Sequence, residues 1–296
     1  MRLLETTFNT IVKRMKHLYV TDMDGTLLGR DSRVSSRSAE IISRLSKSGV
    51  PVTVATARTP ATVEMLLEDT YINIPAIVMT GAAMWDRVSQ RYMDVMYPEA
   101  DAAWRVMCCC REHGVNPFVY VLRDDTMLEV YHNGRMNSRE WKFYEERCGL
   151  TRKRFIFDDP HAYEEPQAGT VLIFAVGEGR AIESVAAELM ADGRLSVSSY
   201  RDIFNPDVAY LEVFAAGVSK AAAIGKLARQ IGADTVTVYG DNLNDLSMFA
   251  VADDAVAVDN AMPGVMEKAD RRIGANYEDA VALDMAMCAR AEGFRV

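Results

Sequence analysis

Both terminal thirds of the chain alternate short apolar runs with helix-forming stretches, and each apolar run gives way to a polar cluster. Leu18-Tyr19-Val20 reads as a strand buried on both faces of a parallel sheet. Ser36 to Ser48 carries Ile41, Ile42 and Leu45 on one helical face and stops at Gly49. Val52 to Ala55 is a second strand. Thr59-Pro60 opens a helix, with a capping residue before proline at the first helical position, and Ala76 to Met79 is a third strand. After Gly217 the alternation resumes: a helix from Ser219 through Gln230 punctuated by Gly232, a strand Val236–Tyr239, a helix Leu243–Phe249 and a strand Ala255–Val258. Alternation of this kind at both ends implies one parallel, doubly wound α/β sheet.

The middle of the chain has a different rhythm. Phe118–Leu122 and Met127–Tyr131 read as a hairpin around Arg123-Asp124-Asp125-Thr126. Helical patterns follow near 138–148 and 179–192, with strands near 170–176, 195–200 and 209–214. We therefore expect an inserted α+β domain over 86–214, with hinges near Trp85–Asp86 and Ala215–Gly217, and a core formed by 15–85 with 215–296. Residues 1–14 read as an extension outside the fold, or as an upstream start.

Charge narrows the functions available. The 296 residues carry 33 Lys and Arg against 42 Asp and Glu, a net charge of −9. Affinity for a nucleic-acid backbone comes mostly from Lys and Arg, so no nucleic-acid partner is expected. A small anionic substrate needs local positive charge against this average field. The five cysteines make no CxxC pair and no zinc spacing, which fits free thiols in a reducing cytoplasm. No apolar run approaches the roughly 18 residues of a membrane span, so no membrane partner is expected either.

Four polar elements fall at strand ends or helix starts, the edge of a parallel sheet where ligands bind. Asp22-Met23-Asp24-Gly25-Thr26 places two carboxylates two residues apart, beside a glycine that permits close backbone approach. A metal-bound carboxylate can attack phosphorus, and a neighbouring one can protonate the leaving oxygen and then activate water. A capped turn is the plainer reading of the same five residues. The Thr56 hydroxyl can bind a phosphoryl oxygen or cap a helix. Lys220, in the first turn of a helix, can neutralise an aspartate–phosphate pair or simply be solvated. Gly240-Asp241-Asn242-Leu243-Asn244-Asp245 suits a hard oxygen-seeking cation such as Mg²⁺, or is an acid-rich turn. The four occur in one order: acid pair, hydroxyl, lysine, acid cluster.

With these residues in that order, the chain resembles the haloacid dehalogenase superfamily of phosphatases, in its Cof-type branch with a large type IIB α/β cap. The resemblance runs from Lys16 to the C-terminus and is strongest in D-M-D-G-T-L-L (22–28), G-V-S-K (217–220) and G-D-N-L-N-D (240–245). It implies that Asp22 is nucleophile and metal ligand. Asp24 would be general acid/base, with its carbonyl on the metal. Thr56, Lys220 and Asn244 would bind phosphate, and Asp241 would complete the ligands of Mg²⁺. Asp245 would orient the metal's waters or the phosphate, and Asn260 would belong to a further active-site loop. Ala57, Asn242 and Asp259 stand where relatives usually carry glycine, and Thr80-Gly81-Ala82 where many have Asn-Gly-Ala; none removes a catalytic group.

The implied reaction is Mg²⁺-dependent hydrolysis of a small phosphorylated metabolite, such as a sugar phosphate or phosphorylated cofactor, through an aspartyl-phosphate on Asp22. Phosphotransfer or phosphomutase chemistry through the same intermediate is the alternative, and a sugar-phosphate-binding protein is the non-enzymatic one. The inserted domain would choose the substrate, with Arg123, Asp124, Arg201 and Asn205 as polar-turn candidates. Neither GxxxxGK[ST] nor GxGxxG occurs, which gives kinase and nucleotide-hydrolase readings no support.

Overall fold

The computed structural model describes residues 16–157, 168–202 and 205–295. Residues 1–14, expected as an extension, lie outside the described residues. The chain enters through β1 (His17–Thr21), whose Leu18 to Thr21 are wholly buried. A helix α1 (Ser36–Lys47) follows, capped by the Ser35 hydroxyl, which accepts from Ser38 N–H. It leads to β2 (Val52–Val54), which lies parallel to β1 with Thr21 opposite Val54. After α2 (Pro60–Leu66) comes β3 (Ala76–Val78).

Here the structure departs from the sequence pattern. Among the described residues, β3 pairs with the parallel sheet through a single bridge, Ala55 to Ile77. Met79 and Thr80 take positive φ (48° and 58°), which turns the chain back at once into β4 (Ala83–Asp86) and then β5 (Arg91–Met93). β3, β4 and β5 form their own antiparallel sheet. Trp85 and Asp86, expected at a hinge, thus lie inside a strand. Trp85 is fully buried and its indole donates to Glu64 (2.7 Å).

The next stretch comprises α3 (Ala100–Glu112), β6 (Phe118–Leu122), β7 (Leu128–His132), α4 (Ser138–Glu145), β8 (Lys153–Phe157), β9 (Thr170–Glu178), α5 (Gly179–Leu189), β10 (Leu195–Arg201) and β11 (Val208–Ala215). Its strands form one six-stranded sheet, ordered β10-β11-β9-β6-β7-β8, antiparallel except for the β7–β8 pair. Period-two alternation gives this sheet two apolar faces. Val119, Val121, Ile173 and Leu211 pack among α3 and α5 residues, while Tyr120, Leu172 and Phe174 belong to an apolar cluster continuous with the core. That second face is the one turned toward the parallel sheet. The three-stranded sheet is tied to the six-stranded one at its edge, where Tyr92 N–H of β5 donates to the Asp125 carbonyl (2.6 Å).

β11 ends at Ala215 and Gly217 has φ +80°, in the segment expected as the return hinge. The chain then forms α6 (Lys220–Ile231), β12 (Thr235–Gly240), α7 (Leu246–Phe249), β13 (Asp254–Val258), α8 (Pro263–Met266), β14 (Arg271–Ile273) and α9 (Ala280–Ala291). The core sheet is wholly parallel, ordered β14-β13-β12-β1-β2. β1 sits between the two arms, so its carboxyl end opens onto the crevice where a doubly wound sheet binds ligands. All five cysteines are free. No helix among the described residues is long and apolar enough to cross a membrane.

Candidate active site

Asp22 follows β1 directly, and its backbone N–H donates to the Tyr239 carbonyl of β12 (2.9 Å). Beyond it, Met23 to Leu27 make a wide turn closed by Leu28 N–H on the Met23 carbonyl (2.8 Å). Gly25 in that turn has φ +76°, and an added Cβ would lie 2.3 Å from Asp241 Oδ2. Glycine is therefore required for the two acidic loops to meet.

Lys220 begins α6 behind the Ser219 cap and is 3% exposed. Its ammonium donates to Asp22 Oδ1 (2.5 Å) and to Asp245 Oδ1 (2.9 Å). The other oxygen of Asp245 accepts the backbone N–H groups of Asp241 and Asn242, which fixes the turn after β12. Asp241 Oδ1 accepts from the Thr26 hydroxyl (2.8 Å), joining the first loop to the fourth. Oxygens of Asp22, Asp241 and Asp245 all lie within 4.8 Å of one another.

Three carboxylates face one ammonium, and the electrostatics follow. Burial raises the Asp22 carboxyl well above the usual range; Lys220 opposes this, while Asp245 and Asp241 add to it. Burial likewise pushes Asp241 up to about 6. Burial pulls the Lys220 ammonium down, but Asp22 and Asp245 together hold it above the ordinary lysine range. The cluster carries surplus negative charge. Asp22 and Asp241 each keep one oxygen that takes no hydrogen bond from the described residues. An all-oxygen donor set with excess negative charge fits a hard divalent cation.

Thr56 lies just past β2. Its N–H donates to Ile77, its carbonyl accepts from Thr80, and its hydroxyl accepts Arg58 N–H (3.2 Å). Asn260 donates to the Gly25 carbonyl (2.7 Å) and accepts from Asn276 N–H, so it fastens the Asp24–Gly25 turn. Asn244 is exposed, and its side chain makes no hydrogen bond among the described residues.

The Asp24 carboxylate points out of the metal-like cluster and is clasped by Arg58, with Nε on Oδ2 (2.7 Å) and Nη2 on Oδ1 (2.6 Å). Arg58 is a site residue that the sequence pattern does not single out. A fork-shaped cation two residues beyond a hydroxyl at a strand end suits such a clasp, but its partner lies 34 residues away in the chain. Above this pair a cavity of about 600 Å³ opens toward the six-stranded sheet. Asn205 lines it. Arg123, Asp124 and Arg201 are engaged elsewhere: Arg123 with Glu129, Asp124 in its own turn, and Arg201 with Glu183.

Comparison with known proteins places this arrangement. Residues 19–285 match the family of haloacid dehalogenase-like hydrolases, and the chain belongs to that family. Within it the chain is a Cof-type phosphatase. It is similar to the 5-amino-6-(5-phospho-D-ribitylamino)uracil phosphatase YwtE of Bacillus subtilis, at 27% identity over 88% of this chain and 94% of that protein. It is also similar to the pyridoxal phosphate phosphatase YbhA of Escherichia coli, at 23% identity over 88% and 94%. A haloacid dehalogenase-like hydrolase from Bacteroides thetaiotaomicron shares the fold, with a TM-score of 0.74, 22% identity and coverage of 92% of this chain and 99% of that one.

Proposed function

We propose that the chain hydrolyses monoesters of small phosphorylated metabolites, with Asp22 as nucleophile. The observation that carries this reading is the Asp22 carboxylate, fixed at the carboxyl end of β1 by Lys220 and facing Asp241. Asp22 attacks phosphorus and takes the phosphoryl group as an aspartyl-phosphate, which water then cleaves. Asp24 protonates the leaving oxygen and afterwards takes the proton of the attacking water. Lys220 and the Thr56 hydroxyl hold the phosphoryl oxygens, with Asn244 at the rim. Asp22, Asp241 and the Asp24 carbonyl are the residues to hold Mg²⁺, which when bound supplies positive charge between two anions. Asp245 and Asn260 keep the loops in place, the first through Lys220 and the second through Gly25. Phosphoryl transfer has a loose transition state, so such positioning and charge are most of what a protein can contribute. The relatives named for ribitylaminouracil phosphate and pyridoxal phosphate support a small metabolite as substrate.

The test is release of inorganic phosphate from p-nitrophenyl phosphate with Mg²⁺ and water as the only acceptor. Asp22→Asn should abolish turnover while the fold persists. Substantial turnover in that variant would remove Asp22 from the role of nucleophile.

A further inference from the structure

Lys153 is the first residue of β8 and is 8% exposed. Its side chain lines the 600 Å³ cavity above Asp24 and Arg58, yet among the described residues its ammonium makes no hydrogen bond and no ion pair. Its Nζ lies 5.3 Å from the centroid of the Tyr120 ring. The acids of the cavity are engaged elsewhere. Asp24 is held by Arg58, Glu146 by Arg147, Asp202 by the Tyr210 hydroxyl, and Glu212 faces the Tyr200 hydroxyl. Burial, with a smaller repulsion from Arg147, lowers the lysine to about 7.

A lysine this deeply placed, with no hydrogen bond or ion pair among the described residues and only the Tyr120 ring beside its ammonium, is costly to keep charged, so a fold that keeps it there needs another reason for it. The walls supply a second observation. Phe143 and Phe174 stack at 4.6 Å and 25°, and Tyr210 continues the series beyond Phe174 at 29°. The cavity therefore has aromatic residues along its wall and is large enough for a phosphate ester with a substituted ring; of its cationic side chains without a hydrogen-bonded or ion-paired partner among the described residues, Lys153 is the most deeply buried, Arg139 being half-buried and Lys142 exposed.

We infer that the leaving group is a planar aromatic ring bearing an anionic oxygen, and that Lys153 is the specificity-determining residue that binds this oxygen while the phosphate lies at Asp22. This rests on the phosphatase reading above and adds to it the chemical class of the leaving group. Arg147 contributes a second positive charge to the same end of the cavity.

The experiment compares phenyl phosphate with 2-, 3- and 4-carboxyphenyl phosphate in the Mg²⁺-loaded enzyme, for the parent, Lys153→Met and Lys153→Arg. For at least one carboxylated isomer the parent should show kcat/KM about ten-fold or more above phenyl phosphate, the size of one hydrogen bond to a charged group. Lys153→Met should erase that ratio through KM, and Lys153→Arg should retain part of it. Lys153→Met should also melt higher than the parent, because it removes an unpaired buried charge; a lysine with a merely structural role would melt lower when replaced. A parent without preference, or a variant that loses all four esters equally, overturns the inference. If the parent hydrolyses none of the esters, the phosphatase reading itself fails. Calorimetric binding of the matching phenylphosphonates then decides the role of Lys153 separately: a carboxylate preference lost in Lys153→Met upholds it, and no preference overturns it.

Discussion

Replacing Gly25 by alanine separates the contact between the two acidic loops from simple backbone strain. The new methyl would lie 2.3 Å from Asp241 Oδ2 and 2.8 Å from its Cγ. Non-bonded heavy atoms settle near about 3.5 Å, so the carboxylate or the turn must retreat by roughly 1 Å. The carboxylate cannot simply rotate aside, because Thr26 holds its other oxygen at 2.8 Å. A left-handed backbone adds about 1–2 kcal/mol for any residue with a Cβ. Gly49 provides the control: its φ is +84°, and a Cβ there would meet nothing within 4 Å. Gly49→Ala should therefore lose about 1–2 kcal/mol of stability, a few degrees in a thermal melt for a chain of this size, and Gly25→Ala at least as much. Only Gly25→Ala should lose turnover, on the order of 100-fold, the cost of a 1 Å misplacement at a reacting centre. It should also need more Mg²⁺ for half-maximal hydrolysis of p-nitrophenyl phosphate. Equal turnover and equal metal dependence in the two variants would refute the claim that Asp241 must approach Gly25 this closely.

Two further outcomes follow from charges around the cavity. Arg58→Ala should lower kcat/KM by about ten-fold or more by releasing Asp24, and Arg58→Lys should recover little, since an ammonium cannot make the two-point clasp; steady-state kinetics on one ester checks both. Burial pushes the Glu212 carboxyl from its ordinary 4.5 up to about 7, with the Tyr200 hydroxyl and Lys220 only partly opposing it. The folded chain then keeps a proton that the unfolded chain has lost, so stability falls as pH rises through this window, and the penalty is fully present above about pH 7. Glu212→Gln should match the parent in melting near pH 4 and exceed it by roughly 3 kcal/mol at pH 8.

What the sequence discloses depends on how far apart the interacting residues lie. The parallel core was legible because each strand carries its own apolar run and each ends on its own polar cluster; Asp22, Thr56, Lys220 and Asp241 announce themselves as strand-end or helix-start residues. The β4–β5 hairpin was not, since Trp85-Asp86 precedes a polar stretch that reads locally as a linker. Pairing of Trp85 with Ala76 on one side and Tyr92 on the other makes it a strand, and its bond to Glu64 anchors it. The clasp of Arg58 on Asp24 joins residues 34 apart, and no local pattern marks it.

Lys153 is the extreme case. A charged first residue of a strand ordinarily faces water, and Lys153-Arg154-Phe155-Ile156-Phe157 gives no sign of which charge goes inside. Register decides it. Lys153 pairs with Leu128, which pairs with Leu122, and that row lies on the face turned toward the core. Arg154 pairs with Glu129 and forms an ion pair with it on the opposite face. A slip of one residue would exchange the two, bringing Arg154 into the cavity and separating it from Glu129. The Arg154–Glu129 pair on one face thus helps to fix which cation is buried on the other, and the donor available to a substrate is set by a contact that never touches the cavity.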